Sequence, residues 1–411
     1  MNQPLCTAPF HSILIETDKT VRPCCSWTGE SIGDLNTDNI NDILNGEKLQ
    51  KIQDQMLNGI WPKNCKNCRQ REIKTNTSPR LTMYRPSKVP YLGNNKITYI
   101  ELNSSNLCNL VCVGCNPSWS SAWANFREDV PWWKEFRKDN HWDLFLNNHE
   151  GFPDRPGWTF HPSRLDFIGD FFKNIDLSNL NRLMFKGGEP FLNKENTLFL
   201  EHLQSLDILK NVDVEMITNG TQVSNKFLNL LSKAKSVFFG ISVDGVGKLN
   251  QYIRFDPKNP ESSHTDNIKQ NIKEYAKLDN LYAINPATSV QAHNVFRLEE
   301  LRRWWVTEIH EINKDKIAHV PEFNHFILGP KELSPDIIQD KMRFHLADFY
   351  ESLDNLPAYN KVINFLRLPY GGNAFHNLFV KYTDAIDRTR PYKFADLVPE
   401  AISELTLIPE N

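Results

Sequence analysis

The chain has 411 residues, more than one typical domain, and 24% of them are charged against 40% hydrophobic, which suits a folded chain rather than a disordered one. A net charge of −3 argues against a generally basic surface for nucleic acid. The opening MNQPLCTAPFHSILIETDKT lacks the basic start and apolar run of a secretion signal, and no stretch nears the roughly 18 apolar residues that span a bilayer, so the expected setting is cytoplasmic without membrane contact.

From the start of the chain, Phe10–Ile15 reads as a strand. Asp18-Lys19-Thr20 turns it into Val21-Arg22-Pro23, giving a hairpin that delivers Cys24 and Cys25. Ile40, Ile43, Leu44, Leu49, Ile52 and Met56 recur at near-helical spacing between Thr37 and Leu57, and the helix should stop at Trp61-Pro62, just before Cys65-Lys66-Asn67-Cys68. Residues 76–96 are polar and proline-rich, a linker. From residue 97 apolar strands alternate with helical stretches, with strands expected at Ile97–Leu102, Arg182–Phe185, Val212–Ile217, Ser236–Val243, Ala283–Val290 and Phe323–Leu328. Helices are expected at Asn196–Leu209 and Ser224–Lys235 between them. This alternation predicts an α/β fold with a parallel sheet, and six strands make a partial (β/α)6 barrel. The interval 116–180 is longer than one connecting helix requires. It holds Trp119, Trp123, Trp132, Trp133, Trp142 and Trp158, read as an insertion with its own aromatic core or, functionally, as a wall over the substrate. Residues 331–411 read as helical, opening at Ser334-Pro335-Asp336. The expected organisation is therefore a small α+β cluster-binding domain at 1–75, the linker, the barrel at 97–330 and a C-terminal helical region.

All eight cysteines lie at or before Cys115. Without an oxidising compartment, cysteines at short spacings read as metal ligands rather than disulfides. Cys108, Cys112 and Cys115 form a CxxxCxxC loop directly after the first barrel strand. Three thiolates suit three irons of a four-iron cluster and leave the fourth iron open to the amino and carboxylate groups of an amino acid. A structural zinc site would want a fourth protein ligand, and no nearby His or Cys supplies one. Gly187-Gly188-Glu189-Pro190 follows the second strand, Thr218-Asn219-Gly220 ends the third, Ser242-Val243-Asp244-Gly245 ends the fourth, and Tyr252-Ile253-Arg254 comes soon after. Glycines admit close backbone approach, and a carboxylate there can accept from an ammonium group. Motifs that follow successive strands share one rim, where such barrels place their active sites.

At these residues the sequence resembles the radical S-adenosylmethionine superfamily. The resemblance implies that Cys108, Cys112 and Cys115 hold a reactive four-iron cluster whose open iron binds S-adenosylmethionine. It further implies reductive cleavage to a 5′-deoxyadenosyl radical, and hydrogen abstraction from a substrate. It assigns Gly187, Gly188 and Glu189 to the amino group of S-adenosylmethionine and Arg254 to its carboxylate. Asn219 is a cofactor-binding candidate, Ser242 and Asp244 are candidates for ribose or methionine contacts, and Gln291 and Asn294 are weaker ones; the plain alternative is a turn-forming polar residue. The hairpin ending in Cys24-Cys25, followed by Ile32-Gly33-Asp34-Leu35, a helix and Pro62-Lys63-Asn64-Cys65-Lys66-Asn67-Cys68, resembles twitch and SPASM domains. This implies a second, auxiliary four-iron cluster on Cys6, Cys24 or Cys25, Cys65 and Cys68, with Cys24 preferred. The order is unusual, since such a domain ordinarily follows the barrel, and a four-cysteine zinc site is the competing reading. With seven cysteines as ligands only Cys25 is left over, which favours dehydrogenation or cross-linking over reactions quenched by a separate thiol. Many twitch and SPASM enzymes act on peptides, so the resemblance implies a peptide or protein substrate and a flavodoxin- or ferredoxin-type reductant. A small molecule or nucleotide substrate, or a non-catalytic scaffold, is the alternative.

Overall fold

A computed structural model describes residues 4–75, 78–84, 96–115, 119–123, 175–262, 264–321, 323, 325–326, 335–354, 356–369 and 372–406. Most of the linker, and Trp132, Trp133, Trp142 and Trp158 of the aromatic interval, lie outside them. The strands are β1 (Ser12–Ile15), β2 (Thr20–Arg22), β3 (Gly33–Asp34), β4 (Tyr99–Asn103), β5 (Val111–Cys112), β6 (Arg182–Lys186), β7 (Asp213–Thr218), β8 (Ser236–Ile241), β9 (Arg254–Phe255), β10 (Leu281–Pro286), β11 (Ser289–Val290) and β12 (His325–Phe326). The chain divides into two compact units, Met1–Asn106 with His161–Met216 and Ser224–Phe238, and Leu107–Phe160 with Ile217–Val223 and Phe239–Asn411.

In the first unit the strands run in the order β8-β7-β6-β4-β1-β2-β3. β1, β4, β6 and β7 pair in parallel, and β2 and β3 return antiparallel. The cysteine-bearing hairpin thus continues the sheet that carries β4, with Leu14 opposite Glu101. Side chains alternate across a strand. One face carries Ile13, Ile15, Ile100, Leu102, Leu183 and Phe185, all essentially inaccessible to water. Phe199, Leu200 and Leu203 of the helix Lys194–Ser205 are buried, and Phe227 of Asn225–Leu231 meets Phe185 at 5.9 Å. The opposite face is largely polar: Tyr99, Glu101 and Asn103 from β4, Arg182 and Lys186 from β6, and Glu215 from β7, with the buried Leu14 and Met184 among them. Parallel sheets are ordinarily apolar on both faces, so this asymmetry calls for a reason beyond packing.

The helix expected from Thr37 to Leu57 is two helices, Ile40–Leu44 and Glu47–Leu57. Gly46 breaks it: extended there, it caps the second helix, and a side chain would come within 2.9 Å of the Asp42 carbonyl. A further helix, Lys66–Thr75, carries Cys68.

In the second unit β5 and β9 pair antiparallel, Cys112 opposite Arg254, and β11 pairs with β12 in parallel. All six expected strand segments contain strands. The fifth is split into β10 and β11 after Pro286, which has no N–H, where Ala287 N and Thr288 Oγ1 donate to the Ile241 and Val243 carbonyls. Parallel strands alternating with helices give the partial-barrel pattern, and helices Asp340–Glu351, Leu356–Leu366 and Asn373–Asp387 make the C-terminal region helical. Among the described residues no helix is long and apolar enough to cross a membrane.

Candidate active site

The three-cysteine loop lies in the second unit and is held by backbone contacts from all sides. Ser121 Oγ bonds to both the N–H and carbonyl of Cys108, Ser120 Oγ donates to the Leu110 carbonyl, and Trp123 Nε1 donates to the Cys112 carbonyl at 2.8 Å. Val113 N donates to the Ile253 carbonyl at 2.7 Å, extending the β5–β9 pairing. The C-terminal region supplies two further clamps, Tyr382 OH to the Val113 carbonyl at 2.8 Å and Arg390 to the Val111 carbonyl at 2.7 Å. Arg390 also donates to the Tyr252 carbonyl and lies 4.4 Å over the Phe255 ring.

Asn219 follows β7. It donates to Asn109 Oδ1 at 3.0 Å, accepts from Thr221, and its amide nitrogen is 4.0 Å from Cys108 Sγ. Gly220 turns the chain at φ 71°, a conformation that favours glycine. Arg254 pairs through Nε with Asp244 at 2.8 Å and brings a terminal nitrogen to 4.0 Å from Cys112 Sγ. Burial pushes the Cys112 thiol up, while Arg254 opposes that shift. Asp244 also accepts from Ser289 N, so both carboxylate oxygens are engaged. Asn294 donates to the Asp244 and Ser289 carbonyls and accepts from Gln291 N. Ser242 is half-buried, its N–H bonded to the Thr218 carbonyl.

In the first unit Gly187 and Gly188 follow β6, both at positive φ, 76° and 51°. A side chain on Gly187 would sit 3.1 Å from the Asn103 backbone. Glu189 is fully buried and accepts from Phe191 N, capping the turn Pro190–Leu192.

The same unit gathers Cys6, Cys24, Cys65 and Cys68 around one cavity, together with Trp27, Arg80 and Tyr84. Cys25 is exposed, absent from that lining, and in the field of Glu101 and Lys186 instead. Burial pushes Cys6 and Cys65 up to about 12, with their neighbouring thiols adding to the shift and Arg80 opposing it. Arg80 is fixed by Glu72, which accepts from Nε at 2.9 Å, and it stacks over Trp61 at 5.0 Å.

Residues 102–279 match the radical SAM superfamily. The chain carries a radical S-adenosylmethionine domain. Residues 6–69 match SPASM, an iron–sulfur cluster-binding domain. No curated protein matches the chain. Among solved structures it is similar to anSMEcpe with bound AdoMet, at 18% identity and a TM-score of 0.36, over 66% of this chain and 63% of that one. It is also similar to Streptococcus suis SuiB bound to the precursor peptide SuiA, at 12% identity and a TM-score of 0.29, over 68% and 45%. The chain thus spans less than two thirds of the length of either.

The two domains imply one four-iron cluster each, and the radical S-adenosylmethionine domain implies S-adenosylmethionine as well. The donor sets fit. Three thiols on one tightly held loop leave a fourth iron without a protein ligand. The four N-terminal thiols stand around one cavity. A multi-iron cluster can occupy such a cavity, whereas one zinc ion wants sulfur ligands at about 2.3 Å.

Sequence reasoning did not single out the polar face of the first sheet. Lys186 Nζ lies 2.5 Å from the buried Glu101, and Asn103 Nδ2 donates to Glu16 at 2.7 Å. Asn103 is 2% exposed, and its Oδ1 has no hydrogen-bond partner among the described residues. The signal is the two-residue spacing of Tyr99, Glu101 and Asn103 in β4, with Arg182 and Lys186 at the ends of β6, where Met184 interrupts the alternation.

Proposed function

We propose that this radical S-adenosylmethionine enzyme modifies a side chain of a peptide or protein. When bound, the reactive cluster and S-adenosylmethionine supply the hydrogen-abstracting chemistry; this chain's residues hold, orient and shield. Cys108, Cys112 and Cys115 would bind three irons, and Cys6, Cys24, Cys65 and Cys68 the auxiliary cluster. Glu189 with Gly187 and Gly188 would receive the amino group of S-adenosylmethionine, and Arg254, oriented by Asp244, its carboxylate. Asn219 and Ser242 would line the remainder, and Asn294 would keep Asp244 in place.

The observation that carries the substrate class is the polar face of the first sheet. Asn103 Oδ1 is a buried acceptor in need of a donor, and a group left so costs about 1–3 kcal/mol. Lys186, opposite it in the register, retains donors beyond the one given to Glu101. One acceptor and one donor side by side match the N–H and C=O of a peptide unit. The SPASM match supports the same class. The test is anaerobic incubation of cluster-loaded protein with peptide fractions from the cells that make it, read by mass spectrometry. We expect a peptide with an altered mass, abolished by Lys186→Met while unstimulated release of 5′-deoxyadenosine continues. Turnover of a small-molecule extract with no peptide product refutes the reading.

A further inference from the structure

In the first unit β1 lies parallel to β4 and β4 to β6, so the C-terminal ends of all three stand on one rim. The β1–β4 register, with Ile15 opposite Leu102, brings Glu16 level with Asn103, and Asn103 stands opposite Lys186. Two-residue alternation puts Glu16 on the face that Glu101 and Asn103 share, so a carboxylate, an amide and an ammonium form one row across three strands. Asn103 Nδ2 donates to Glu16 Oε2 at 2.7 Å. The other carboxylate oxygen, Oε1, accepts no hydrogen bond among the described residues. Arg22 Nε comes no closer to it than 3.6 Å, just beyond hydrogen-bond range, and a terminal nitrogen of Arg22 goes to the Trp27 carbonyl instead. Burial pushes the Glu16 carboxyl up, Asn103 and Arg22 oppose that shift, and Asp18 and Glu101 add to it. This carboxylate is thus short of positive charge, with an oxygen to offer and 18% of its side chain still accessible. Beside it the buried Asn103 Oδ1 is likewise without a donor among the described residues.

We infer that Glu16 is a specificity-determining residue whose open oxygen binds a protonated amine of the substrate. The inference rests on the peptide reading above, in which Asn103 and Lys186 hold one peptide unit. Neighbouring strands stand about 4.8 Å apart, so Glu16 meets the group next to that unit, a lysine side chain or a free amino terminus. An ammonium suits the site better than a guanidinium does. Each of its three N–H donors can be met singly, whereas a guanidinium is held best by both oxygens of one carboxylate, and Glu16 Oε2 is already taken. Glu16 belongs to the segment that matches SPASM. Because that segment precedes the barrel strands and adds β1 to their sheet, it brings this carboxylate to the rim beside Asn103.

The test is equilibrium binding of three short peptides to cluster-loaded protein, measured anaerobically by saturation-transfer NMR with S-adenosylmethionine present. Acetyl-Gly-Lys-Gly amide carries its ammonium on the side chain, unblocked Gly-norleucine-Gly amide carries it at the terminus, and acetyl-Gly-norleucine-Gly amide carries none. At least one charged peptide should bind about tenfold more tightly than the neutral one, and which of them does so identifies the source of the amine. Glu16→Gln keeps an acceptor for Asn103 but removes the charge. It should bring the favoured peptide down to the affinity of the neutral one, with neutral binding and iron content unchanged. Should that variant lose iron, Glu16→Asp, which keeps the charge but draws it back by one methylene, should reduce the preference in the same direction. Equal binding of charged and neutral peptides by the wild type, or a preference that survives undiminished in the iron-replete variant, overturns this inference and leaves the peptide reading standing. Binding of none of the three overturns the inference and counts against the peptide reading as well.

Discussion

Replacing Arg390 by Met should release the three-cysteine loop. The guanidinium donates to the Val111 carbonyl at 2.7 Å and the Tyr252 carbonyl at 3.0 Å, against the Phe255 ring. Methionine retains much of the apolar stem but leaves two buried carbonyls unsatisfied, at about 1–3 kcal/mol each. Against that, burial pushes Arg390 down to about 10, so the folded chain already bears a desolvation cost of roughly 3 kcal/mol that the variant escapes. The net loss is on the order of 1 kcal/mol, concentrated beside Cys112. Arg390→Lys keeps the charge but cannot span both carbonyls, and should fall between the two. The assays are iron per chain after anaerobic reconstitution and the urea midpoint of unfolding. Arg390→Met should retain about four irons of about eight, and its midpoint should drop. A variant with the full iron complement and an unchanged midpoint would refute the reasoning, because the clamp would then be holding nothing that the cluster needs.

Cys24→Ala should remove about four irons while Cys25→Ala removes none, since Cys24 alone of the pair lines the cavity; iron analysis of the two variants decides it. Arg80 stands beside an expected anionic cluster, so Arg80→Met should move the auxiliary reduction potential to more negative values, read by redox titration followed by EPR. His293 is fully buried among Tyr252, Phe379 and Phe394, and burial pushes it down to about 3. The unfolded chain therefore takes up a proton below about pH 6.5 that the folded one refuses, so this contribution to stability is complete above that pH and is lost as pH falls toward 3. Between pH 6.5 and 5 the wild type should lose about 2 kcal/mol more than His293→Phe. Parallel slopes for the two proteins in urea unfolding would show that His293 titrates freely.

What the sequence made legible was whatever is contiguous. CxxxCxxC, Gly-Gly-Glu and Cys-Lys-Asn-Cys are each a few residues long, and each obeys a local geometric demand that can be read without knowing the fold. The six strands were legible for the same reason, through their alternation with helical periodicity. At the adjacent Cys24 and Cys25 the sequence supports only a preference for Cys24. Which of two neighbours faces a cavity depends on the turn after β2, and the Trp27 N to Cys24 carbonyl bond that closes it has no signature in residue type. Long-range pairing defeated the reading at β1, whose parallel partner β4 lies more than eighty residues away. The polar sheet face was missed for a different reason: Ile100 and Leu102 in β4, and Leu183, Met184 and Phe185 in β6, are enough to identify the strands without it.

The C-terminal region shows most plainly why motif reading stops short of a site. A loop that spends its side chains on irons must turn its backbone outward, and carbonyls turned away from water need donors. Those of Leu110 and Cys112 are met locally, by Ser120 and Trp123. Those of Val111 and Val113 are met by Arg390 and Tyr382, some 270 residues further on. Tyr382 sits on the amphipathic helix Asn373–Asp387 and Arg390 in the turn that follows it, with no motif around either, and only the backbone they reach gives them a role. The helical region is thereby part of the site's construction rather than an appendage to the barrel. A substitution there that leaves the helices intact but removes a donor should be felt at the cluster before it is felt in the fold.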